Sequence, residues 1–147
     1  MSVHYDCAVA AHAAIQGLSL TGLASASVYL QKVPLLSNEL AMPACTVSTY
    51  LPETMANRGT NVRDDVGYPV TVKFFYRNEQ SLTSNHARIT QWRQLVAKAF
   101  RNQRLAGVSS VATCEVQPML AFGPGGFSSG YDDSGLTLRF LSREVRG

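Results

Sequence analysis

The stretch YPVTVKFFYR at residues 68–77 decides the fold class of this chain. Val70, Val72, Phe74 and Tyr76 occupy every second position, and most of the residues between them are polar. A period of two is typical of a strand that buries one face of its sheet. Parallel strands are usually continuous apolar runs, because both of their faces are buried, so the alternation favours antiparallel pairing.

The clearest helix pattern follows this strand. Its apolar positions recur every three or four residues, at Ile89, Trp92, Val96 and Phe100. This spacing places them on one face of a helix. We expect an amphipathic helix over residues 83–105, with Leu95 and Ala99 widening the apolar face and Gly107 ending it.

Weaker patterns predict the remaining elements. An alanine-rich stretch predicts a helix over residues 5–20. Stretches rich in β-branched and aromatic residues predict four more strands, at residues 27–33, 44–51, 108–116 and 136–143. We therefore expect a single α+β domain over residues 1–147. Its sheet is mainly antiparallel, with about four to five strands, and an N-terminal helix and one long amphipathic helix pack on one face.

Charged residues are sparse in this chain. Asp, Glu, Lys and Arg make up 16% of the sequence, against about 25% in an ordinary soluble domain. Either Ser, Thr and Asn take their place on the surface, or partner proteins cover part of it, since interface centres are depleted in charge. The N-terminus does not resemble a secretory signal, and no run of 18 apolar residues predicts a membrane span.

No pattern in the sequence predicts catalysis. The three histidines, His4, His12 and His86, have no partners at metal-ligand spacing. Cys7 with His4 or His12 is a weak candidate for a nucleophile and its base, because no third group supports the pair. The three cysteines form no close pair, so we expect no disulfide framework and three small buried side chains. We expect no enzymatic activity, no cofactor and no bound metal.

Two aperiodic stretches, residues 52–67 and 119–135, predict long loops, and loops of this length are usually functional or mobile. The GPGG stretch at 123–126 lacks the residues of a phosphate-binding loop and predicts flexibility. Aromatic and arginine residues are preferred at interface centres. The candidate interface residues of the two loops are Arg58, Arg63, Asp64, Asp65, Phe122, Phe127 and Tyr131. The alternative is that the aromatic side chains fold back onto the core.

The acidic doublets Asp64-Asp65 and Asp132-Asp133 lie in these two stretches. Two pairs of carboxylates are able to hold a divalent cation or to perform acid–base catalysis. The simpler interpretation is turn formation, because Asp tolerates turn conformations and hydrogen-bonds its own backbone.

Four basic residues lie along the predicted long helix: Arg93, Lys98, Arg101 and Arg104. They indicate a solvated helix face or, alternatively, a surface that binds nucleic-acid phosphates. The net charge of +3 is only mildly basic.

The chain as a whole resembles the tail terminator or tail-completion proteins of tailed bacteriophages, and the related head–tail neck proteins. The segments that carry the resemblance are VYLQK at 28–32, PACTV at 43–47, YPVTV at 68–72 and the helix at 89–100, together with NVRDDVGYPV at 61–70 and FRNQRL at 100–105. These are patterning motifs that extend over nearly the whole chain and carry no chemistry of their own.

The resemblance implies a structural virion protein, assembled in the host cytoplasm and located in the tail or neck of the particle. It implies a homo-oligomeric ring, commonly a hexamer, that caps the tail tube and joins it to the head–tail connector or adaptor. Its expected partners are further copies of itself, the tail tube protein and the connector. DNA passes through the lumen of such a ring without specific binding, and no membrane is involved.

Overall fold

The computed structural model describes residues 2–35, 42–55, 63–78 and 81–145. Their helices and strands follow one another as α1 (Val3–Gly17), β1 (Val28–Gln31), β2 (Ala44–Ser48), β3 (Thr54–Met55), β4 (Arg63–Arg77), α2 (His86–Phe100), β5 (Val111–Pro118), α3 (Pro124–Ser128) and β6 (Tyr131–Val145). The α+β class is confirmed, but the described part has six strands and three helices, one strand and one helix more than expected.

The six strands form one sheet. The order across it is β1-β2-β4-β6-β5, and β3 pairs with β4 beyond the end of β2. β1 and β2 are parallel, whereas all other pairs are antiparallel. The expectation of a mainly antiparallel sheet is therefore confirmed. The parallel pair at one edge was not predicted, because the short stretches of β1 and β2 carry no signal of direction.

β4 and β6 pair along their whole lengths, from Arg63 opposite Val145 to Arg77 opposite Tyr131. The prediction of two long loops was wrong at residues 63–67 and 131–135, which belong to these strands. Glycine and aspartate are weak strand formers, so both segments lacked a strand pattern. They are extended because each pairs in register with the opposite strand.

The helix-facing side of the sheet carries the core. Val70, Val72 and Phe74 are fully buried, as their alternation predicted. They lie in one apolar cluster with the buried positions of α2, which are Ile89, Trp92, Val96 and Phe100. Trp92 packs between Phe74 and Tyr76, at ring-centroid distances of 5.6 and 5.7 Å. The predicted widening of this face was wrong at Leu95, which is exposed.

α1 packs on the same side of the sheet. Its buried positions, Cys7, Ala8, Ala11 and Ile15, belong to the same cluster as the core of β4. His12 lies at the edge of this contact and donates from Nε2 to the Val28 carbonyl at 2.7 Å. The placement of both helices on one face of the sheet is thus confirmed.

α2 is shorter than the predicted helix of residues 83–105. It begins at His86 and ends at Phe100. The preceding residue, Asn85, has a left-handed backbone (φ 61°), which interrupts the helical conformation. Beyond the helix, Asn102 is again left-handed (φ 57°), and its N–H donates to the Cys114 carbonyl of β5 at 2.9 Å. Non-glycine residues adopt this conformation at a cost, so contacts with neighbouring elements set both ends of the helix.

Small polar residues occupy the middle of the opposite face of the sheet, and Phe75 is buried toward one end of it. Thr46, Ser48 and Thr71 are fully buried there, and Ser48 lies directly opposite Thr71 in the register of β2 and β4. Their hydroxyl groups have no hydrogen-bond partner in the described part of the chain. A buried hydroxyl without a partner is destabilising, so these three positions do not contribute to stability as the apolar face does.

Candidate protein interface

The predicted interface residues do not lie together. Asp65 is near one end of the β4–β6 pair and Tyr131 is at the other. The 12 residues from Asp65 to Arg77, the partner of Tyr131, span about 40 Å of extended strand. Arg58 and the side chains of Arg63 and Phe127 lie outside the described residues. The set therefore divides into two separate regions.

At the first end, ion pairs join neighbouring strands. Arg143 donates from Nε to Asp65 Oδ1 at 3.0 Å, and the two residues are direct partners across β4 and β6. Arg139 donates to Glu115 of β5 at 3.1 Å and to Thr54 Oγ1 of β3. The Arg139 side chain crosses β4 at Gly67, where a Cβ atom would lie 2.4 Å from its Nε. Asp65 thus has an internal structural partner.

The acidic doublets lie in strands, so the prediction that they form turns was wrong. Asp133 accepts from Lys73 Nζ at 3.1 Å, and Asp132 is 6% exposed. Within the described part of the chain, no three His, Cys, Asp or Glu side chains come together in a group able to hold a metal ion.

At the second end lies an apolar groove of about 420 Å³, which we call the α3 groove. It is lined by Leu82, Ser84, His86, Phe122, Gly123, Pro124, Ser128 and Asp132. Phe122 is half-buried and meets the His86 ring edge-on at 5.3 Å. Phe122 therefore packs partly against the body of the protein, as the alternative interpretation expected, and still contributes to an open apolar surface.

Asn85 fixes the wall of this groove. Its Nδ2 donates to the Arg77 carbonyl at 3.0 Å and to Asp132 Oδ2 at 3.4 Å. Leu82, just before α2, is 87% exposed. A leucine this exposed beside an apolar groove is the kind of feature that marks a contact surface.

Tyr131 and α3 complete this end. The Tyr131 ring lies 5.9 Å from that of Phe75, so it too packs against the sheet. The predicted flexible GPGG stretch is partly helical, because α3 spans Pro124–Ser128. Pro at the first position of a helix is favourable, but the glycines hid the helix from the sequence pattern.

Arg93 has an internal role that the sequence did not indicate. Its guanidinium donates to the carbonyls of Met119, Leu120 and Gly135 and to the Ser134 hydroxyl. Burial lowers the pKa of Arg93. This arginine holds the segment before α3 against the start of β6, so it is not part of a free basic face. Only its position beside Trp92, at the border of the apolar face, hinted at such a role.

The other three basic residues of the predicted stripe are exposed. Lys98 lies in α2, whereas Arg101 and Arg104 follow its last residue, Phe100. The four residues therefore do not share one helix face, and only Lys98, Arg101 and Arg104 are open to solvent.

A second apolar surface lies beyond β1, at residues 32–35, which we call the β1 extension. Val33 is 44% exposed and Leu35 is 65% exposed. With its amide oriented to donate, Gln31 reaches the carbonyls of both residues at 3.2 Å. The β1 extension is at the opposite edge of the sheet from β5 and the segment that leads into α3.

The weak candidate for a nucleophile is not supported by its geometry. Cys7 is fully buried, and burial raises its pKa to about 12. His4 uses Nε2 to donate to the Pro69 carbonyl at 2.7 Å. All three cysteines are free and buried, as expected, and burial likewise raises the pKa of Cys114 to about 12. A thiol acts as a nucleophile only as the thiolate, so none of these groups is activated.

Comparison with solved structures finds similarity at low sequence identity. A chain of the virion of a native gene transfer agent particle is similar over 83% of this chain and 81% of that chain, with a TM-score of 0.45 and 12% sequence identity. No protein-family model matches the sequence, and no curated protein matches it. A similarity at this level assigns no function. In the described residues, no helix is long and apolar enough to cross a membrane.

Proposed function

We propose that this chain is a non-enzymatic structural protein of a tailed-phage virion, a tail terminator or neck subunit that forms a homo-oligomeric ring. The assignment to this class rests on the sequence resemblance, whose motifs at 28–32, 43–47 and 68–72 fall on β1, β2 and β4. In the proposed role the ring caps the tail tube and joins it to the head–tail connector, and DNA passes through its lumen.

One observation carries the ring itself: exposed apolar side chains occur at two opposite edges of the sheet. Val33 and Leu35 lie beyond β1 at one edge, and Leu82 and Leu120 lie near the α3 groove at the other. Contiguous exposed apolar surface marks protein contacts. A subunit of a closed ring needs two different surfaces, one for each neighbour, because its contacts are heterologous.

The low charge of the chain supports the same proposal. Charged residues are depleted at interface centres, and both apolar surfaces consist mostly of uncharged side chains. Of the seven residues predicted from the sequence, we propose Phe122 as an interface residue, because it lines the α3 groove. We assign no interface role to Asp65, because Arg143 already binds its carboxylate.

Mass photometry together with binding assays tests this proposal. The purified chain is measured over a range of concentrations, alone and with the tail tube protein or the connector protein encoded beside it. We expect ring-sized particles, or binding to one of these partners that produces them. A chain that remains monomeric at high concentration and binds neither partner would refute the proposal. Terminator proteins are able to stay monomeric before assembly, so the measurement with the tail tube or connector protein is the decisive one.

A further inference from the structure

We infer that the turn after α2 binds the phosphate backbone of duplex DNA without reading its sequence. The turn consists of residues 101–104, Arg-Asn-Gln-Arg, and we call it the RNQR turn. Lys98, near the end of α2, acts together with it. This inference rests on the proposed function, in which DNA passes through the ring, and it names a surface of the subunit that contacts the DNA.

Positive charge is concentrated in the sequence around this turn. Residues 80–114 contain five lysine and arginine residues and no aspartate or glutamate. The next acidic residue along the chain, Glu115, accepts from Arg139 at 3.1 Å. The stretch that carries the RNQR turn therefore has no acidic residue of its own to neutralise it.

Ion pairs do not neutralise these charges either. Three basic side chains elsewhere in the described part of the chain are bound by carboxylates, at Lys73, Arg139 and Arg143. Lys98, Arg101 and Arg104 are exposed, and none of them forms an ion pair with a described residue. Their charges are therefore available to an anionic partner, and DNA supplies the complementary charge at high density.

The RNQR turn is held in place by its own backbone. Its first three N–H groups donate to carbonyl oxygens at 2.9, 2.9 and 3.1 Å, those of Ala97, Cys114 and Phe100 in turn. Phe100 before the turn and Leu105 after it are buried in the core. A surface that is ordered before binding loses little conformational entropy when its partner binds.

The side chains of the turn are suited to phosphate. All four are exposed. The two guanidinium groups donate in a fork that matches phosphate oxygens, and Asn and Gln amides are also common donors to the DNA backbone. The Cα atoms of Arg101 and Arg104 are at most about 11 Å apart. Lys98 lies three positions before Arg101, and residues at this spacing are neighbours on a helix surface.

The positive charge of this region exceeds what α2 itself can use. Basic residues stabilise a helix C-terminus only within its last turn, where Lys98 lies. Arg104 is four residues beyond Phe100, the last residue of α2, so the helix dipole does not account for it. A second partner is needed to explain why both ends of the turn are arginine.

Duplex DNA fits this surface better than a single strand or an acidic protein. Single-strand binding relies on exposed aromatic side chains that stack on bases, and protein interfaces favour aromatic residues at their centres. The two aromatic residues between positions 86 and 116, Trp92 and Phe100, are buried in the core. The exposed side chains of the turn are all hydrogen-bond donors, which is the chemistry that binds phosphates.

The salt dependence of DNA binding tests the inference. Fluorescence anisotropy measures binding of the full chain to a labelled duplex at several salt concentrations. Each neutralised phosphate contributes about −0.9 to the slope of log K against log salt concentration, so three contacts per subunit give about −2.7. The double variant Arg101→Gln/Arg104→Gln is expected to retain about a third of the slope of the unmodified chain and to bind at least about tenfold more weakly at about 20 mM salt.

The matched control is Lys32→Gln/Arg77→Gln, which removes the same net charge from two other exposed side chains. Lys32 follows β1, at the opposite edge of the sheet from β5, and Arg77 is the last residue of β4. This control is expected to leave the slope unchanged. Thermal unfolding of each variant checks that the fold is intact.

The outcomes separate the inference from the proposed function. A slope that falls in the turn variant and not in the control supports the inference. Equal slopes in the turn variant and the unmodified chain, or no DNA binding at about 20 mM salt, overturn it. If the turn variant keeps its DNA binding and loses binding to the tail tube or connector protein, the turn is a protein contact, and the inference is again overturned. Ring formation is measured separately by mass photometry, so its failure is recognised independently of DNA binding.

Discussion

The role of Arg93 gives a sharp prediction, because the sequence indicated a solvated basic residue and the structure places it in a hydrogen-bond cluster. We consider Arg93→Met, which keeps much of the aliphatic stem and removes the guanidinium. The carbonyls of Met119 and Leu120 are exposed enough to regain water. Ser134, by contrast, is 1% exposed and loses its charged partner.

The expected cost follows from these two groups of contacts. A hydrogen bond from a charged donor contributes about 1.5–3 kcal/mol when its partner is buried. The Gly135 carbonyl keeps a second donor, the Met119 N–H at 3.2 Å, so its loss is smaller. We therefore expect Arg93→Met to lower the free energy of unfolding by about 2–3 kcal/mol, which corresponds to a fall in Tm of about 6–12 °C.

Urea and thermal denaturation of the full chain measure this cost. Lys98→Met and Arg101→Met are the matched controls, because both side chains are exposed, and each is expected to change the free energy of unfolding by less than about 0.5 kcal/mol. If Arg93→Met is as stable as these controls, the hydrogen bonds of Arg93 do not stabilise the fold. Arg93 would then be available as part of the basic face that a nucleic-acid-binding protein would use.

Three further predictions concern the core. Trp92→Ala should cost about 3–5 kcal/mol, because the indole is fully buried and donates to the Thr21 carbonyl at 2.9 Å; a loss below about 1 kcal/mol in urea denaturation would contradict the packing described. Thr71→Val should be neutral or stabilising by about 1 kcal/mol, because it removes a buried hydroxyl that has no partner among the described residues; clear destabilisation in the same assay would show that the hydroxyl is satisfied. Burial raises the pKa of the Cys7 and Cys114 thiols from 9.0 to about 12, so the unfolded chain binds fewer protons between these pH values and stability should fall as pH rises from about 9 to about 12. Urea midpoints across that range check the sign, and a flat or rising profile would contradict it.

The sequence predicted the elements whose pattern is local. The alternation of Val70, Val72 and Phe74 identified the central strand, and the spacing of Ile89, Trp92 and Val96 identified the helix that covers it. Both patterns reflect burial on one face, which is the strongest signal a single sequence carries. All of these side chains are fully buried.

The sequence did not predict elements that depend on distant partners. Residues 63–67 and 131–135 contain aspartate and glycine, yet both are extended because each segment belongs to one of two strands that pair with each other. Pairing between residues so far apart in the chain has no signature in a local window. The parallel direction of β1 escaped for the same reason, whereas the short helix α3 escaped because its glycines hid the helical pattern.

The candidate interface was only partly predictable. The aromatic residue Phe122 drew attention to the segment that forms the α3 groove, but the acidic residues nearer the other end of β4 belong to a separate region. Leu82, Val33 and Leu35 went unnoticed because a single exposed apolar residue has no pattern. They become visible only when the fold shows which apolar positions remain outside the core.

The central claim is that this chain works as a ring, and the mass of the assembled particle tests it most directly. Mass photometry of the full-length chain with the tail tube protein encoded beside it, followed by electron microscopy of the largest species, gives both mass and symmetry. The account predicts closed rings; a hexamer of the 15.9 kDa chain would contribute about 95 kDa. Monomers, or open-ended aggregates without rotational symmetry, at every concentration and with every partner would contradict it.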